Sequence, residues 1–338
     1  VKERPLNVAL IGYGYWGPNL ARVFSDIPNV TFHTLCDRSE ARLQLARTKY
    51  QRLNTCQDPR EVFENPSIDA VLIATPVSTH APIAQNALRA NKHVYVEKPL
   101  TMRYRDAVAC QRLAHERRRI LMVGHTFLYS PPVKKVKELI QDGTLGKVYY
   151  LNSQRVNLGL FQPDVSVFWD LAPHDLSIFV NWLDADPVWV SAQGNSFVRR
   201  DILEVGFATL GFPNGVLAHL HVSWLAPTKL RHTTVVGSKR MVLYDDTSNN
   251  EKVKVFDQGV VRNPETFGEF QLTYRSGDVL SPHLPALEPL YEQAKAFISA
   301  IRTGKAPASS GAFGSRVVRI LESIEASSKK HGRVYRLR

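Results

Sequence analysis

The apolar run 8–11 passes directly into Gly12, Gly14 and Gly17, spaced as G-x-G-x-x-G. Glycines cluster in many turns, so the spacing alone is a weak signal, and the residues after it carry the constraint. Leu20, Val23, Phe24 and Ile27 recur at helical spacing, a second apolar run covers 30–36, and Asp37 closes it about 20 residues beyond Gly17. A strand, a glycine turn, a helix and a second strand ending in a carboxylate form a βαβ unit with the dinucleotide-binding fingerprint. Gly12 permits the tight turn, Gly14 lets backbone N–H groups approach a pyrophosphate, and Gly17 lets the helix lie close to the sheet. The unpaired N–H groups and positive dipole end of that helix favour phosphate. Asp37 is placed to accept hydrogen bonds from the adenosine ribose hydroxyls and to repel a 2′-phosphate, which favours NAD over NADP. Arg38 beside it keeps NADP open, because an arginine there stacks on adenine or meets a phosphate. Tyr15 and Trp16 lie inside the loop, placed either to close over the cofactor or to pack.

A chain of 338 residues exceeds the size at which one core keeps growing, so two domains are expected. The sequence holds no apolar run of about 18 residues and no signal-peptide pattern at its N-terminus, so a cytoplasmic location away from membranes is expected. Cys36, Cys56 and Cys110 are far apart, without C-x-x-C, and read as buried thiols, with no metal site. The net charge of +12 raises the question of nucleic acid. However, the basic cluster 117–119 falls at a helix C-terminus, where cations suit the dipole, and no nucleic-acid motif accompanies it. A solvated basic surface that draws in anionic cofactor and substrate is the better reading.

Along the chain, Ser39 and Asp58 are placed to cap helices ending near 50 and 64, and the apolar run 70–74 reads as a strand buried on both faces. It ends in the polar turn 75–80, where Thr75, Pro76 and His80 are expected to line the cofactor path and Ser78 to cap a helix ending near 90. The next strand leads into Glu97, Lys98 and Pro99, with Glu97 expected near the nicotinamide ribose. A helix over 104–117 and a strand over 120–124 complete a six-stranded doubly wound sheet, and 131–140 reads as a linking helix. Beyond Gly146 the runs 148–156, 188–197, 204–212, 216–224, 231–237 and 239–245 alternate or are β-branched. Helices are expected over 170–183, 287–302 and 310–330, then a strand over 333–337. The fold class is α/β. An N-terminal Rossmann domain (1–125) with a parallel sheet precedes a C-terminal α+β domain (126–338) with a mostly antiparallel open sheet, whose last residues are free to return to the first. His219 and His221 alternate with Leu220 and share one face, which suits a structural or oligomer surface better than a metal pair.

The glycine fingerprint, Glu97-Lys98-Pro99 and an antiparallel second domain together resemble the Gfo/Idh/MocA family of nicotinamide-dependent sugar and cyclitol oxidoreductases, over essentially the whole chain. That family commonly carries an Asp and a His four residues apart on a helix of the second domain, and Asp170 and His174 match that spacing, with Pro173 expected in the first turn. The resemblance implies Lys98, His174 and Asp170 as the catalytic set. His174 would accept the hydroxyl proton in oxidation, since imidazole titrates near neutral pH. Lys98, as a cation, would stabilise the developing alkoxide, and Asp170 would orient one of the two. The sequence departs from the pattern in two places. The glycine run that often precedes this aspartate is replaced by 165–169, and Ser177 stands where an aspartate is often found. The stretch 155–161 followed by 169–175 is instead similar to members acting on nucleotide-linked sugars. Tyr149, Arg155 and Asn157, on or just after a strand placed to face either the cleft or solvent, are candidate substrate contacts with Lys98 and His174. The expected reaction is NAD-dependent oxidation of the 3-hydroxyl of a nucleotide-linked amino sugar, with UDP-N-acetylglucosamine foremost. A dTDP-sugar 3-ketoreductase and a dehydrogenase of a free sugar or inositol are the alternatives. A homodimer or homotetramer formed through the second-domain sheet follows from the family habit.

Overall fold

The structure is a computed structural model that describes residues 4–337 apart from 160, 163, 200 and 263–271. Leu160, within the stretch that carries the sugar-nucleotide resemblance, lies outside the described residues. The chain divides into two compact units, Val1–Tyr129 with Leu287–Arg319, and Ser130–Ala286 with Ile320–Arg338.

The first unit alternates strand and helix: β1 (Leu6–Ile11), α1 (Gly17–Asp26), β2 (Val30–Cys36), α2 (Glu40–Lys49), β3 (Asn54–Cys56), α3 (Pro59–Glu64), β4 (Ala70–Ile73), α4 (His80–Arg89), β5 (His93–Val96), α5 (Tyr104–Glu116) and β6 (Leu121–Val123). The six strands lie in the order β3-β2-β1-β4-β5-β6, and every pair is parallel. The order reverses between β1 and β4, so the carboxyl ends of these strands flank the crevice where open α/β sheets take ligands. All four residues of β4 are buried, as a strand covered on both faces requires.

Asp58 caps α3 by accepting the Arg60 N–H. The other two expected caps are corrected. The Ser39 side chain makes no capping bond, and its backbone N–H instead donates to Asp37 Oδ1 at 2.9 Å. Ser78 lies within a short 3₁₀ turn, Val77–Thr79, and α4 starts only at His80.

The second unit contains α6 (Pro131–Gln141), β7 (Val148–Val156), α7 (Val167–Leu183), β8 (Trp189–Asn195), β9 (Val205–Gly211), β10 (Leu217–Ser223), β11 (Leu230–Gly237), β12 (Met241–Asp245), β13 (Val253–Arg262) and β14 (Leu272–Leu280). The chain then supplies α8 (Pro289–Thr303) to the first unit. Next comes α9 (Gly311–Ser328), which belongs to the first unit through Arg319 and to the second from Ile320, and finally β15 (Tyr335–Arg336). Nine strands form one sheet in the order β14-β13-β12-β11-β7-β10-β9-β8-β15. Only the β7–β10 pair is parallel.

Two features of this unit differ from expectation. Strands β13 and β14 continue the sheet beyond Asp245, although Asp257, Gly259 and Gly277 interrupt their apolar pattern. Helix α7 starts at Val167, with Ser166 at its N-cap position, so Pro173 is an interior residue rather than part of the first turn. The proline removes one helical hydrogen bond, to the Trp169 carbonyl, and its side chain is buried. Among the described residues, no helix is long and apolar enough to cross a membrane.

Candidate active site

The glycine loop at the end of β1 is built by close backbone approach. Gly12 has φ +98°, and a Cβ there would lie 2.6 Å from the Ala74 carbonyl oxygen, so both conformation and space require glycine. A Cβ on Gly17 would run into the Gly12 carbonyl oxygen, which fixes α1 against the loop. Gly14 is different: nothing comes nearer to its added Cβ than the Arg42 guanidinium at 3.9 Å, so its backbone is open to a ligand. Trp16, at the N-cap position of α1, gives no side-chain cap; Pro18 has no N–H and the Asn19 N–H donates to the Trp16 carbonyl at 3.0 Å, so Gly17 is the first-turn residue whose N–H can serve an anion. These residues fit a dinucleotide pyrophosphate.

Asp37, at the carboxyl end of β2, is 8% exposed and already shaped by its neighbours. Its Oδ2 accepts the Tyr13 N–H at 2.7 Å, and the Arg42 guanidinium stands 3.6 Å away. The loop thus positions the carboxylate expected at the adenosine ribose. Tyr13, whose N–H makes this contact, had no role in the sequence reading because a backbone donor leaves no mark in the residue type. Arg38 is exposed beside it.

At the ends of β4 and β5, His80 is buried and bridges two turns. Its Nε2 is 2.9 Å from the Thr75 carbonyl oxygen and its Nδ1 is 2.8 Å from that of Pro99. Its ring therefore ties the turn after β4 to the turn after β5. Thr75 also accepts the Thr79 hydroxyl at 2.7 Å, and Pro76 opens the 3₁₀ turn. The Lys98–Pro99 peptide is cis, and Lys98 is half-buried.

Glu97 keeps some exposed surface while its carboxyl group is enclosed. Tyr95 Oη lies 3.0 Å from its Oε1, the Lys98 N–H donates weakly to Oε2 at 3.3 Å, and the Trp16 indole supplies a further hydrogen bond. Burial pushes this carboxyl up to about 7, against the opposing pull of the Tyr95 hydroxyl and the Lys98 charge. A Cβ on Gly124 would sit 2.7 Å from Glu97 Oε2, so that glycine makes room for the acid. Next to it, His125 is 1% exposed, and neither ring nitrogen has a hydrogen-bond partner. Burial first, and the Lys98 charge second, pull its pKa down to about 3.

In the second unit, α7 carries Asp170 and His174 one turn apart on one face. The Trp224 indole N–H donates to Asp170 Oδ2 at 3.0 Å, and the Ser177 hydroxyl donates to the His174 carbonyl at 2.7 Å. Sequence reasoning missed Trp224, which lies 54 positions from its partner on another element. Arg155 departs from the substrate-contact expectation. It is 4% exposed, and its Nε donates to Asp175 Oδ2 at 2.6 Å, while Ser153 Oγ donates to Oδ1 at 2.7 Å. Residues at alternate positions of β7 face the sheet side covered by α7, which places Arg155 in the core of the unit. Tyr149 is exposed, and Asn157 is half-buried with its N–H on the Ser223 carbonyl. Phe207 stacks on His221 at 4.4 Å and lies 6.5 Å from His219. No cluster of three metal-ligating side chains occurs among the described residues.

Comparison with known proteins agrees with this architecture. Residues 6–125 match the model of the oxidoreductase family with an NAD-binding Rossmann fold, and residues 133–243 match the Gfo/Idh/MocA C-terminal domain. The chain is 26% identical over 323 residues to myo-inositol 2-dehydrogenase of Thermotoga maritima, covering 91% of this chain and 92% of that protein. It is 31% identical over 185 residues to UDP-N-acetylglucosamine 3-dehydrogenase of Acidithiobacillus ferrooxidans, covering 54% of this chain and 57% of that protein. The solved structure of the A. ferrooxidans enzyme superposes with a TM-score of 0.79 at 25% identity, covering 97% and 99% of the two chains. GenD2 of gentamicin A biosynthesis, solved with NAD, shares the fold with a TM-score of 0.84 at 23% identity, covering 100% and 98%. With its fingerprint loop, its two domain matches and its NAD-binding unit in place, the chain belongs to the Gfo/Idh/MocA family of NAD-dependent oxidoreductases acting on CH–OH groups.

Proposed function

We propose that this protein oxidises the 3-hydroxyl of a nucleotide-linked amino sugar, UDP-N-acetylglucosamine in the first instance, to the 3-keto sugar. The observation that carries the reading is the pairing of Asp170 and His174 on α7, with Trp224 holding Asp170, in a chain 31% identical over half its length to an enzyme of that activity. Lys98 leaves the carboxyl end of β5, in the same unit as the glycine loop. Its ammonium donates to the substrate oxygen and stabilises the negative charge that develops there. The His174 imidazole takes the hydroxyl proton, and Asp170, fixed by Trp224, keeps that helix face oriented. Bound NAD supplies the hydride acceptor. Gly12, Gly14, Gly17 and Asp37 hold the cofactor, with Tyr15, Trp16, Arg38, Thr75, Pro76 and Glu97 around it.

Full-length similarity to a myo-inositol 2-dehydrogenase supports a second reading, oxidation of a free cyclitol. NADH formation with UDP-N-acetylglucosamine and with myo-inositol, and NADH consumption with a dTDP-linked 3-keto sugar, separate the readings. Turnover of myo-inositol with none of the nucleotide sugar would overturn the first. In either case Lys98→Met and His174→Asn should each abolish turnover while NAD binding persists. The open sheet face carries Tyr150, Phe207 and Leu217 at 46%, 43% and 46% exposure, which supports assembly of a dimer or tetramer through it. Phe207→Glu should then shift the sedimentation coefficient to that of a monomer.

A further inference from the structure

The Tyr95 hydroxyl has one hydrogen, and two oxygens compete for it: Glu97 Oε1 at 3.0 Å and Gln293 Oε1 at 3.1 Å. The orientation of Gln293 decides which receives it. Gln293 is fully buried on α8, and its Nε2 donates to the Val123 carbonyl at 3.1 Å, a partner that can only accept. Its Oε1 must therefore face Tyr95 and also the Thr126 hydroxyl at 2.8 Å. With Gln293 so fixed, the Tyr95 oxygen touches two oxygens with one hydrogen to place, and Gln293 Oε1 has none to give, so once the Tyr95 hydrogen covers the Gln293 contact the Glu97 contact needs a hydrogen from Glu97 itself. An ionised Glu97 would put two bare oxygens in contact in a buried site. A protonated Glu97 satisfies every member: it donates to Tyr95, its other oxygen accepts from the Lys98 N–H, and the carboxyl group still accepts from the Trp16 indole.

We propose that Gln293 is a positioning residue that, through Tyr95, holds Glu97 as a neutral acid beneath Trp16 of the NAD-binding glycine loop. Among the described residues, the groups facing Glu97 are Tyr95 on β5, Lys98 at the end of β5, Trp16 at the start of α1 and the Gly124 backbone after β6; Lys98 carries the charge among them, and it favours ionisation. The hydrogen-bond arrangement and the burial oppose that charge. A neutral acid keeps negative charge away from the loop that receives the cofactor's phosphates, so NAD affinity follows the protonation of Glu97. The proton count does not depend on which sugar is the substrate.

The test is titration of the full chain labelled with side-chain carboxyl carbon-13 glutamate, the Glu97 resonance being identified by its loss in Glu97→Gln. That substitution keeps one donor and one acceptor in the acid's shape. In the wild-type chain Glu97 should resonate as a protonated acid at pH 6, and the Kd for NAD should rise on the order of fivefold as it ionises. In Gln293→Leu the Tyr95 hydrogen is released to Glu97, so its proton affinity should fall about tenfold and the NAD transition should move to lower pH with it. A carboxylate resonance for Glu97 at pH 6 in the wild-type chain overturns the proposal without any variant. A Gln293→Leu protein with lower thermal stability but an unmoved Glu97 titration assigns Gln293 a structural role alone and overturns it too. A chain inactive on every sugar would defeat the dehydrogenase reading and leave the carbon-13 result untouched.

Discussion

Arg155 and Asp175 give the sharpest quantitative prediction, because the sequence places Arg155 at a substrate and the structure places it in the core. The side chains are 4% and 2% exposed, with Nε to Oδ2 at 2.6 Å and a second guanidinium contact, Nη2 to Oδ1, at 3.3 Å. Arg155→Met would leave the Asp175 carboxylate buried with Ser153 as its remaining named donor. Removing one member of a buried ion pair costs about 3–5 kcal/mol, because the other charge stays desolvated. At roughly 2–4 °C per kcal/mol for a unit of this size, the melting temperature should fall by about 6–20 °C. The double variant Arg155→Met with Asp175→Leu removes both charges and should recover most of that loss. Urea denaturation followed by tryptophan fluorescence measures both, since Trp169, Trp182 and Trp224 are buried in the same unit. If Arg155→Met lost less than about 1 kcal/mol while raising KM for the sugar, the core assignment would fail and Arg155 would return to the substrate.

Further predictions concern pH, the acid on α7 and the glycine turn. His93 accepts the Ile120 N–H on Nδ1, and burial ahead of the Arg119 charge pulls it down to about 4, while His125 is pulled down to about 3. Both are neutral when folded and take up protons when unfolded, so their contribution is present above about pH 6.5 and is lost as pH falls toward 4 and 3. Denaturation midpoints across that range should decline, and His125→Gln should flatten the decline; an equally steep slope in the variant would count against it. Trp224→Phe removes the hydrogen bond to Asp170 and should lower kcat about tenfold with little change in the Kd for NAD; an unchanged kcat would separate Trp224 from catalysis. Gly12→Ala forces a Cβ to within 2.6 Å of the Ala74 oxygen at φ +98° and should abolish NAD binding, measured by calorimetry. Retained affinity would show that the turn relaxes.

Much of the first unit is legible in the sequence because its signals are local. The glycines and Asp37 sit within one βαβ unit, and the β4 run 70–73 is apolar throughout because it is covered on both faces. The Glu-Lys-Pro turn is likewise readable where it stands. What escaped depends on distant partners or on backbone. Trp224 meets Asp170 from β10's end, and Gln293 reaches Tyr95 across 198 positions. Ser39 and Ser78 have cap-forming side chains, but Asp37 and a 3₁₀ turn take over those helix entries. Arg155 was misplaced because a charged residue on a strand suggests the cleft or solvent until its buried partner is known. Strands β13 and β14 escaped because a sheet edge exposed to solvent needs little apolar alternation; Tyr274, Val279 and Leu280 on β14 are 81%, 53% and 62% exposed.

The return of residues 287–319 to the first unit bears on how the protein is made. Phe297 on α8 closes an aromatic triangle with Phe24 and Tyr95, with ring centroids 5.9–6.2 Å apart, and Gln293 completes the polar chain beside it. On a ribosome, the NAD-binding unit therefore waits for residues 287–319, while residues up to 129 emerge with that aromatic site uncovered. A fragment ending at Tyr129 should behave as an aggregation-prone intermediate, and a chaperone that shields Phe24 and Tyr95 would act during the interval in which the second unit is being synthesised. The order of synthesis thus leaves the part of the chain easiest to recognise in sequence open until residues 287–319 emerge, shortly before residues 320–338 complete the second unit.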